Sequence, residues 1–139
     1  MLYLADTSIW AWANKVPDSD LARTLADRVA ADEVATCPVV VLEFMHLARG
    51  GEEFERLLGR FALLQSIPIT HRSGDRAVAV QRELAMGTHG NHRRPAADFL
   101  IAAAAEEAGA DVTLWFFDTD LRVICEHTGQ PYEAEKAPY

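Results

Sequence analysis

Short apolar segments alternate with longer segments of helical periodicity along this chain. The apolar segments lie at 2–5, 34–36, 67–69 and 112–117, and the last of these is the strongest signal for a buried strand. Between them, apolar side chains recur every three or four residues, as they do in amphipathic helices. Strands that alternate with helices pair in parallel, with helices packed on both faces of the sheet. The sequence therefore predicts an α/β fold of three layers, with a mostly parallel central sheet of four to five short strands.

The helical pattern occurs seven times and is punctuated by proline and glycine. Helices are predicted over 7–14, 20–31, 38–47, 52–64, 70–87, 96–108 and 121–127. Pro38 and Pro95 suit the starts of two of these helices, because proline is tolerated in a first turn. Gly109 suits the end of the alanine-rich helix, and the tail from Tyr132 is expected to add an edge strand.

Length and composition place the chain among ordinary globular domains. A chain of 139 residues, half of them hydrophobic, is expected to form one domain spanning 1–139. Cys37 and Cys125 lie far apart and lack the spacing of metal ligands or of a disulfide framework. With no leader-like N-terminus and no apolar run long enough to span a bilayer, the expected location is the cytoplasm, away from membranes.

The charge balance is acidic. The formal net charge is −8, and only Lys15 and Lys136 among the thirteen cationic residues are lysines. Proteins that hold nucleic acid mainly by neutralising phosphates usually show the opposite balance. The balance is compatible with an enzyme whose acids bind a metal, or with a protein that has a basic partner.

Several carboxylates directly follow predicted strands. Asp6 follows the first strand, and Asp118 and Asp120 follow the last buried strand. Parallel strands end at the same edge of a sheet, where open α/β sheets place their binding crevices. Each of these acids can also serve simply as the cap of the helix that follows it.

Two further carboxylates interrupt apolar helices. Glu43 and Asp98 have apolar neighbours in sequence, and we expect both to be shielded from water. A shielded carboxylate must be paired, protonated or bound to a metal. The alternatives are a salt bridge to an arginine for Glu43, and a first-turn position favoured by the helix dipole for Asp98. Four acids at one edge would repel each other, and a hard divalent cation would relieve that repulsion.

The order and spacing of these motifs resemble those of PIN-domain ribonucleases, and within that family the chain is most similar to VapC toxins of bacterial toxin–antitoxin pairs. The resemblance covers essentially the whole chain and rests on four motifs: Asp6-Thr7-Ser8, the lone Glu43, Pro95-Ala96-Ala97-Asp98, and Phe117-Asp118-Thr119-Asp120. The chain departs from many relatives in three places: Phe116 stands where they have threonine, Leu121 where they have an aromatic residue, and Arg94-Pro95 where they have Ile-Pro or a similar apolar pair. These departures leave open whether Asp118 or Asp120 is the fourth acid.

The resemblance implies an endoribonuclease that depends on Mg²⁺, with Mn²⁺ as a possible substitute. It implies Asp6, Glu43, Asp98 and Asp118 as catalytic and metal-binding residues, with Asp120 as a possible addition. It also implies an RNA substrate of the tRNA or rRNA class, a VapB-like antitoxin as partner, and a homodimer. The family's reaction is hydrolysis by water, which leaves a 5′-phosphate and a 3′-hydroxyl.

Polar residues beside these acids are candidates for supporting roles. Thr7 or Ser8 could orient Asp6 or a water molecule, although plain helix capping is an equal alternative. The loop at 87–94 contains the only concentrated positive patch, formed by His89, His92, Arg93 and Arg94. We expect His92, Arg93 and Arg94 to contact RNA, the alternative being a merely solvated loop.

Two other classes of protein fit parts of the pattern. A receiver-like signalling module also has one α/β domain and an acidic Mg²⁺ pocket. Such a module normally has two adjacent acids after its first strand and a late lysine, whereas this chain has Ala5-Asp6 and no lysine between Lys15 and Lys136. A catalytically inert PIN-like interaction protein is the second alternative, and the complete set of acids disfavours it.

Overall fold

The structure, a computed structural model, describes residues 1–87, 90–117 and 119–136. The strands in these ranges are β1 (Leu2–Ala5), β2 (Val34–Thr36), β3 (Gln65–Ser66), β4 (Val112–Phe116) and β5 (Tyr132–Ala134). The helices are α1 (Thr7–Lys15), α2 (Asp20–Ala30), α3 (Pro38–Met45), α4 (Gly51–Leu58), α5 (His71–Gly87), α6 (Ala96–Ala108) and α7 (Thr119–Thr128). None of the helices in these ranges is both long and apolar enough to cross a membrane.

The five strands form one sheet in the order β3-β2-β1-β4-β5, and every neighbouring pair is parallel. Leu4 of β1 lies at the centre, opposite Ala35 of β2 and Leu114 of β4. This arrangement confirms the predicted α/β fold with a parallel central sheet. The edge strand expected from Tyr132 is also confirmed, as β5.

The chain changes direction across the sheet between β1 and β4. From β1 it passes through α1 and α2 to β2 on one side, and from β4 through α7 to β5 on the other. Because parallel crossovers are right-handed, these two connections lie on opposite faces of the sheet. The carboxyl ends of β1 and β4 therefore form a topological switch point, the place where open α/β sheets form a crevice.

The alanine-rich helix α6 has the predicted bounds and packs closely on the sheet. Its central residues Ala102–Ala105 are at most 4% exposed, and it contacts β4, α3, α5 and α7. Small side chains let the helix axis approach β4 closely. Gly109 ends the helix with a φ of 117°, a backbone conformation that residues other than glycine rarely adopt.

The predicted boundaries of α3, α4 and β3 were wrong, and α3 ends at Met45 although it was predicted to reach 47. The helix predicted to run to 64 ends at Leu58, because Phe61 turns inward to pack edge-on against Trp10 and Phe44, with ring centroids 4.9 and 5.4 Å away. The strand predicted at 67–69 lies two residues earlier, as β3. Pro68 has no N–H group to donate to a ladder, so pairing cannot continue through it.

Arg28 of α2 covers aromatic rings of the sheet. Its guanidinium lies 3.8 Å from the ring centroid of Tyr3 and 4.3 Å from that of Trp115. Its Nη1 lies 3.0 Å from Glu133 Oε2 of β5, while Nη2 donates to Oε1 at 3.1 Å. The Arg28 side chain is only 18% exposed, so solvent screens these contacts weakly. One arginine thus ties α2 to β1, β4 and β5.

Replacing Arg28 with alanine is expected to lower the free energy of unfolding by about 2 kcal/mol, because a desolvated cation–π contact is lost and Glu133 loses its partner. Thermal unfolding should register this as a drop of roughly 5–10 °C in Tm. The matched control is Arg23→Ala on the same helix, whose pair with Asp20 is 67% and 98% exposed and should contribute little. Equal losses for the two variants would contradict this role of Arg28.

Candidate active site

Asp6 lies at the switch point, directly after β1. Its backbone N–H donates to the Trp115 carbonyl of β4 at 2.9 Å, which fixes it between the two central strands. Its carboxylate caps α1, since Oδ2 accepts from Ser8 N–H at 3.2 Å and from the Ser8 hydroxyl at 2.7 Å. The capping role is therefore real, and the residue is only 3% exposed.

Burial makes ionisation of Asp6 costly. Desolvation raises the pKa of this carboxyl, the two hydrogen bonds from Ser8 lower it in part, and the nearby charge of Glu43 raises it further. A carboxylate that is expensive to ionise without a counter-charge is common at functional sites. A bound cation would remove this penalty.

Glu43 on α3 is the second acid of this group. The Thr7 hydroxyl donates to its Oε1 at 2.7 Å, which links α3 to the first turn of α1. The expectation that Glu43 is shielded from water was wrong, because Glu43 is exposed. The helix α3 buries only the face that contains Val40 and Phe44. The apolar residues next to Glu43 in sequence therefore do not surround it in space.

Asp98 lies in the first turn of α6 and is 5% exposed, as the sequence predicted. Its N–H donates to the Pro95 carbonyl at 3.0 Å. The end of α6 leads into the start of β4 through 109–111, so the helix runs against the direction of the strand. Its first turn accordingly lies toward the carboxyl edge of the sheet, the edge where Asp6 is found.

The fourth acidic motif follows β4. Asp118 lies outside the described residues. Phe117, which precedes it, donates its N–H to the Ser8 hydroxyl oxygen at 3.1 Å. Ser8 therefore bridges the carboxylate of Asp6 and the backbone at the end of β4.

Asp120 contacts the basic loop through Arg94. Arg94 forms an ion pair and a hydrogen bond with Asp120 Oδ1. The Arg94 side chain is 14% exposed, whereas Arg93 is exposed and His92 is half-buried. The histidine at position 89 lies outside the described residues. Contact of this loop with RNA remains a prediction.

The donor chemistry of the site suits a hard divalent cation. The side chains of Asp6 and Glu43, whose charges influence each other, offer only carboxylate oxygens, the ligands that Mg²⁺ prefers. The Cys37 thiol is no competing ligand, because burial raises its pKa and the charges of both acids add to that effect. In the ranges 1–87, 90–117 and 119–136, no three His, Cys, Asp or Glu side chains form a metal site by themselves.

Two supporting contacts could not be anticipated from sequence. The bond between Ser8 and Phe117 joins residues 109 positions apart, and the pair of Arg94 with Asp120 joins residues 26 positions apart. No local pattern links such partners. The motif Asp6-Thr7-Ser8 signals only that hydroxyl groups are close to an acid.

Comparison with known proteins agrees with this geometry. The family model described as the PIN domain matches residues 3–126. Ribonuclease VapC18 of Mycobacterium tuberculosis is 34% identical over 134 residues, which are 96% of this chain and 94% of that protein. Ribonuclease VapC51 of the same organism is 34% identical over 132 residues, 93% of this chain and 89% of that protein.

A solved structure shares the fold. The crystal structure of VapBC2 from Rickettsia felis bound to a DNA fragment from their promoter contains a chain that superposes with a TM-score of 0.73 at 22% identity. The match covers 96% of this chain and 98% of that one. The family match and the curated relatives together show that this chain belongs to the PIN domain family.

Proposed function

We propose that this chain is a divalent-metal-dependent endoribonuclease and the toxin of a toxin–antitoxin pair. The observation that carries the proposal is the buried carboxylate of Asp6 beside Glu43 at the switch point of the sheet. It occurs in a chain that is 34% identical to a curated ribonuclease over 96% of its length. The free thiols Cys37 and Cys125 are compatible with action in the reducing cytoplasm.

Asp6, Glu43, Asp98 and Asp118 are proposed to hold Mg²⁺, or Mn²⁺ in its place. When bound, the cation would activate a water molecule and stabilise the charge on the attacked phosphate. The chain's own contribution is to fix the oxygen ligands. Ser8 holds Oδ2 of Asp6 and Thr7 holds Oε1 of Glu43, so both hydroxyl groups position carboxylates.

RNA contact is proposed for the exposed Arg93 and the half-buried His92, which precede Asp98 in the chain. With a net charge of −8, the protein cannot rely on a broad basic surface. A few local cations near the cleavage position would instead set the register of the substrate. A structured RNA such as tRNA or rRNA is the proposed substrate class.

A VapB-like antitoxin is the proposed partner, and the groove between α1 and α2 is its proposed binding surface. The groove is mostly apolar and contains Trp10, Ala13, Pro17, Leu25 and Ala26 among its lining residues. An amphipathic helix with apolar side chains at helical spacing fits such a groove. The acidic net charge of this chain favours association with a basic partner.

Cleavage of RNA is expected to require Mg²⁺ or Mn²⁺, to stop in EDTA and to resume when the metal is restored. Asp6→Asn and Asp98→Asn should each lower kcat more than about 100-fold, beyond the loss usual for residues that only support metal ligands. The control is Asp111→Asn, an exposed acid at the opposite end of β4. Wild-type rates in Asp6→Asn or Asp98→Asn would refute the assigned site.

Without metal, Asp6→Asn is expected to raise Tm at pH 7, because it removes a carboxylate that burial makes costly to ionise. The folded-state pKa lies above the unfolded value, so wild type loses stability as pH rises from the unfolded pKa through the folded pKa. The higher Tm of Asp6→Asn relative to wild type should vanish below about pH 4, where the Asp6 carboxyl of wild type is protonated in both the folded and the unfolded state. Thermal unfolding in EDTA from pH 3 to 8 measures this, and a variant less stable than wild type at pH 7 contradicts it.

The antitoxin groove is testable with the protein encoded immediately upstream, produced together with this chain. Ala26→Arg places a charge in the apolar groove at an exposed position and should weaken binding at least about tenfold, or 1.4 kcal/mol. Ala79→Arg on α5, also exposed, is the matched control. Binding titrations and inhibition of RNA cleavage should report the same loss, and unchanged binding by Ala26→Arg would exclude this groove.

A further inference from the structure

The guanidinium of Arg94 joins two segments of the chain. Its Nη1 pairs with Asp120 Oδ1 in the first turn of α7. Its Nε donates to the Asn91 carbonyl at 2.9 Å, and its Nη2 donates to Asn91 Oδ1 at 3.3 Å. The planar fork of an arginine can serve these acceptors at once, which a lysine could not do.

The loop on the Arg94 side is itself closed by backbone bonds. Arg93 N–H donates to the Gly90 carbonyl at 2.9 Å, and Arg94 N–H donates to the His92 carbonyl at 3.0 Å. Gly90 has φ of 73°, which suits this tight turn. The ion pair therefore attaches a defined turn to α7.

This contact lies next to two of the proposed acids in sequence. Arg94 is four residues before Asp98, and Asp120 is two residues after Asp118. Ser8 already ties the end of β4 to Asp6 through Phe117 N–H. Ser8 thus binds Phe117 at the end of β4, and Arg94 binds Asp120 in the first turn of α7.

The partners are partly withdrawn from solvent. The side chain of Arg94 is 14% exposed and that of Asp120 is 34% exposed, so screening weakens the pair less than it would at the surface. The positive end of the α7 dipole also stabilises a charged Asp120. The charges of Arg94 and Asp120 therefore compensate each other within the protein.

We infer that the Arg94–Asp120 ion pair is a latch that positions the start of α6, which contains Asp98, relative to the first turn of α7. Arg94 is a positioning residue and does not contact RNA, and Asp120 is its anchor. The inference rests on the proposed function of that site. It assigns to Arg94 and Asp120 a role in holding the carboxylates in place for metal binding.

The test compares Arg94→Gln, Asp120→Asn and the double variant in the full-length protein. Mn²⁺ affinity is measured by calorimetry on the RNA-free protein, and kcat, KM for RNA and Tm are measured separately. Each single variant should lose about 10-fold in Mn²⁺ affinity and in kcat, with KM nearly unchanged. The double variant should lose no more Mn²⁺ affinity or kcat than the more impaired of the two single variants, because both changes break the same interaction.

Arg93→Gln is the matched control, since it removes the neighbouring exposed arginine. It should raise KM for RNA and leave Mn²⁺ affinity and Tm at their wild-type values. Arg94→Lys should recover only part of the loss, because lysine retains the charge without the fork to Asn91.

Three outcomes would overturn the latch. If Arg94→Gln raises KM as Arg93→Gln does and Mn²⁺ affinity is unchanged, Arg94 contacts RNA. If Asp120→Asn abolishes Mn²⁺ binding while Arg94→Gln leaves it intact, Asp120 is a metal ligand. If the Tm losses of the single variants add in the double variant, the two residues do not act as a pair.

Failure of the proposed function would look different. A wild-type protein that neither binds Mn²⁺ nor cuts RNA would refute the nuclease assignment. In that case, non-additive Tm losses would still support the latch between the loop and α7, and additive losses would still overturn it.

Discussion

The burial of one carboxylate at the switch point is the constraint on which the rest of this structure depends. Asp6 must follow β1 directly to cap α1, and it must lie beside β4 because its N–H bonds to Trp115. That position removes it from water and raises its pKa. The desolvation of this carboxylate is unfavourable, but the same residue caps a helix and offers oxygen atoms at the crevice of the sheet.

Hydroxyl groups bind the carboxylates of Asp6 and Glu43, and an ion pair joins the segments next to Asp98 and α7. Ser8 and Thr7 lie in the first turn of α1, and each donates a hydrogen bond to a different carboxylate. Arg94 and Asp120 hold the loop before α6 against α7. The contacts of Thr7 and Arg94 join segments distant in sequence, which is how a site assembled from several strand ends acquires a fixed geometry.

The sequence predicted the parallel sheet, the alanine-rich helix and the burial of Asp98, because each depends on local pattern or on strong apolar signals. It was wrong about Glu43, since apolar neighbours along α3 do not show which face the helix buries. The helix expected over 52–64 ends at Leu58, because packing of Phe61 against Trp10 outweighs its helical periodicity. Placement of Asp118 and contact of the loop with RNA remain predictions.

By itself, the sequence determined the alternation of strands and helices, and hence that acids following parallel strands share one edge. Periodicity and turn residues are local properties, so they can be read from the chain. Only the tertiary structure decided which polar groups meet: Ser8 with Phe117, Arg94 with Asp120, and Arg28 with the rings of Tyr3 and Trp115. Such pairings depend on packing between distant segments, and their energies arise only after folding has brought the partners together and removed water from them.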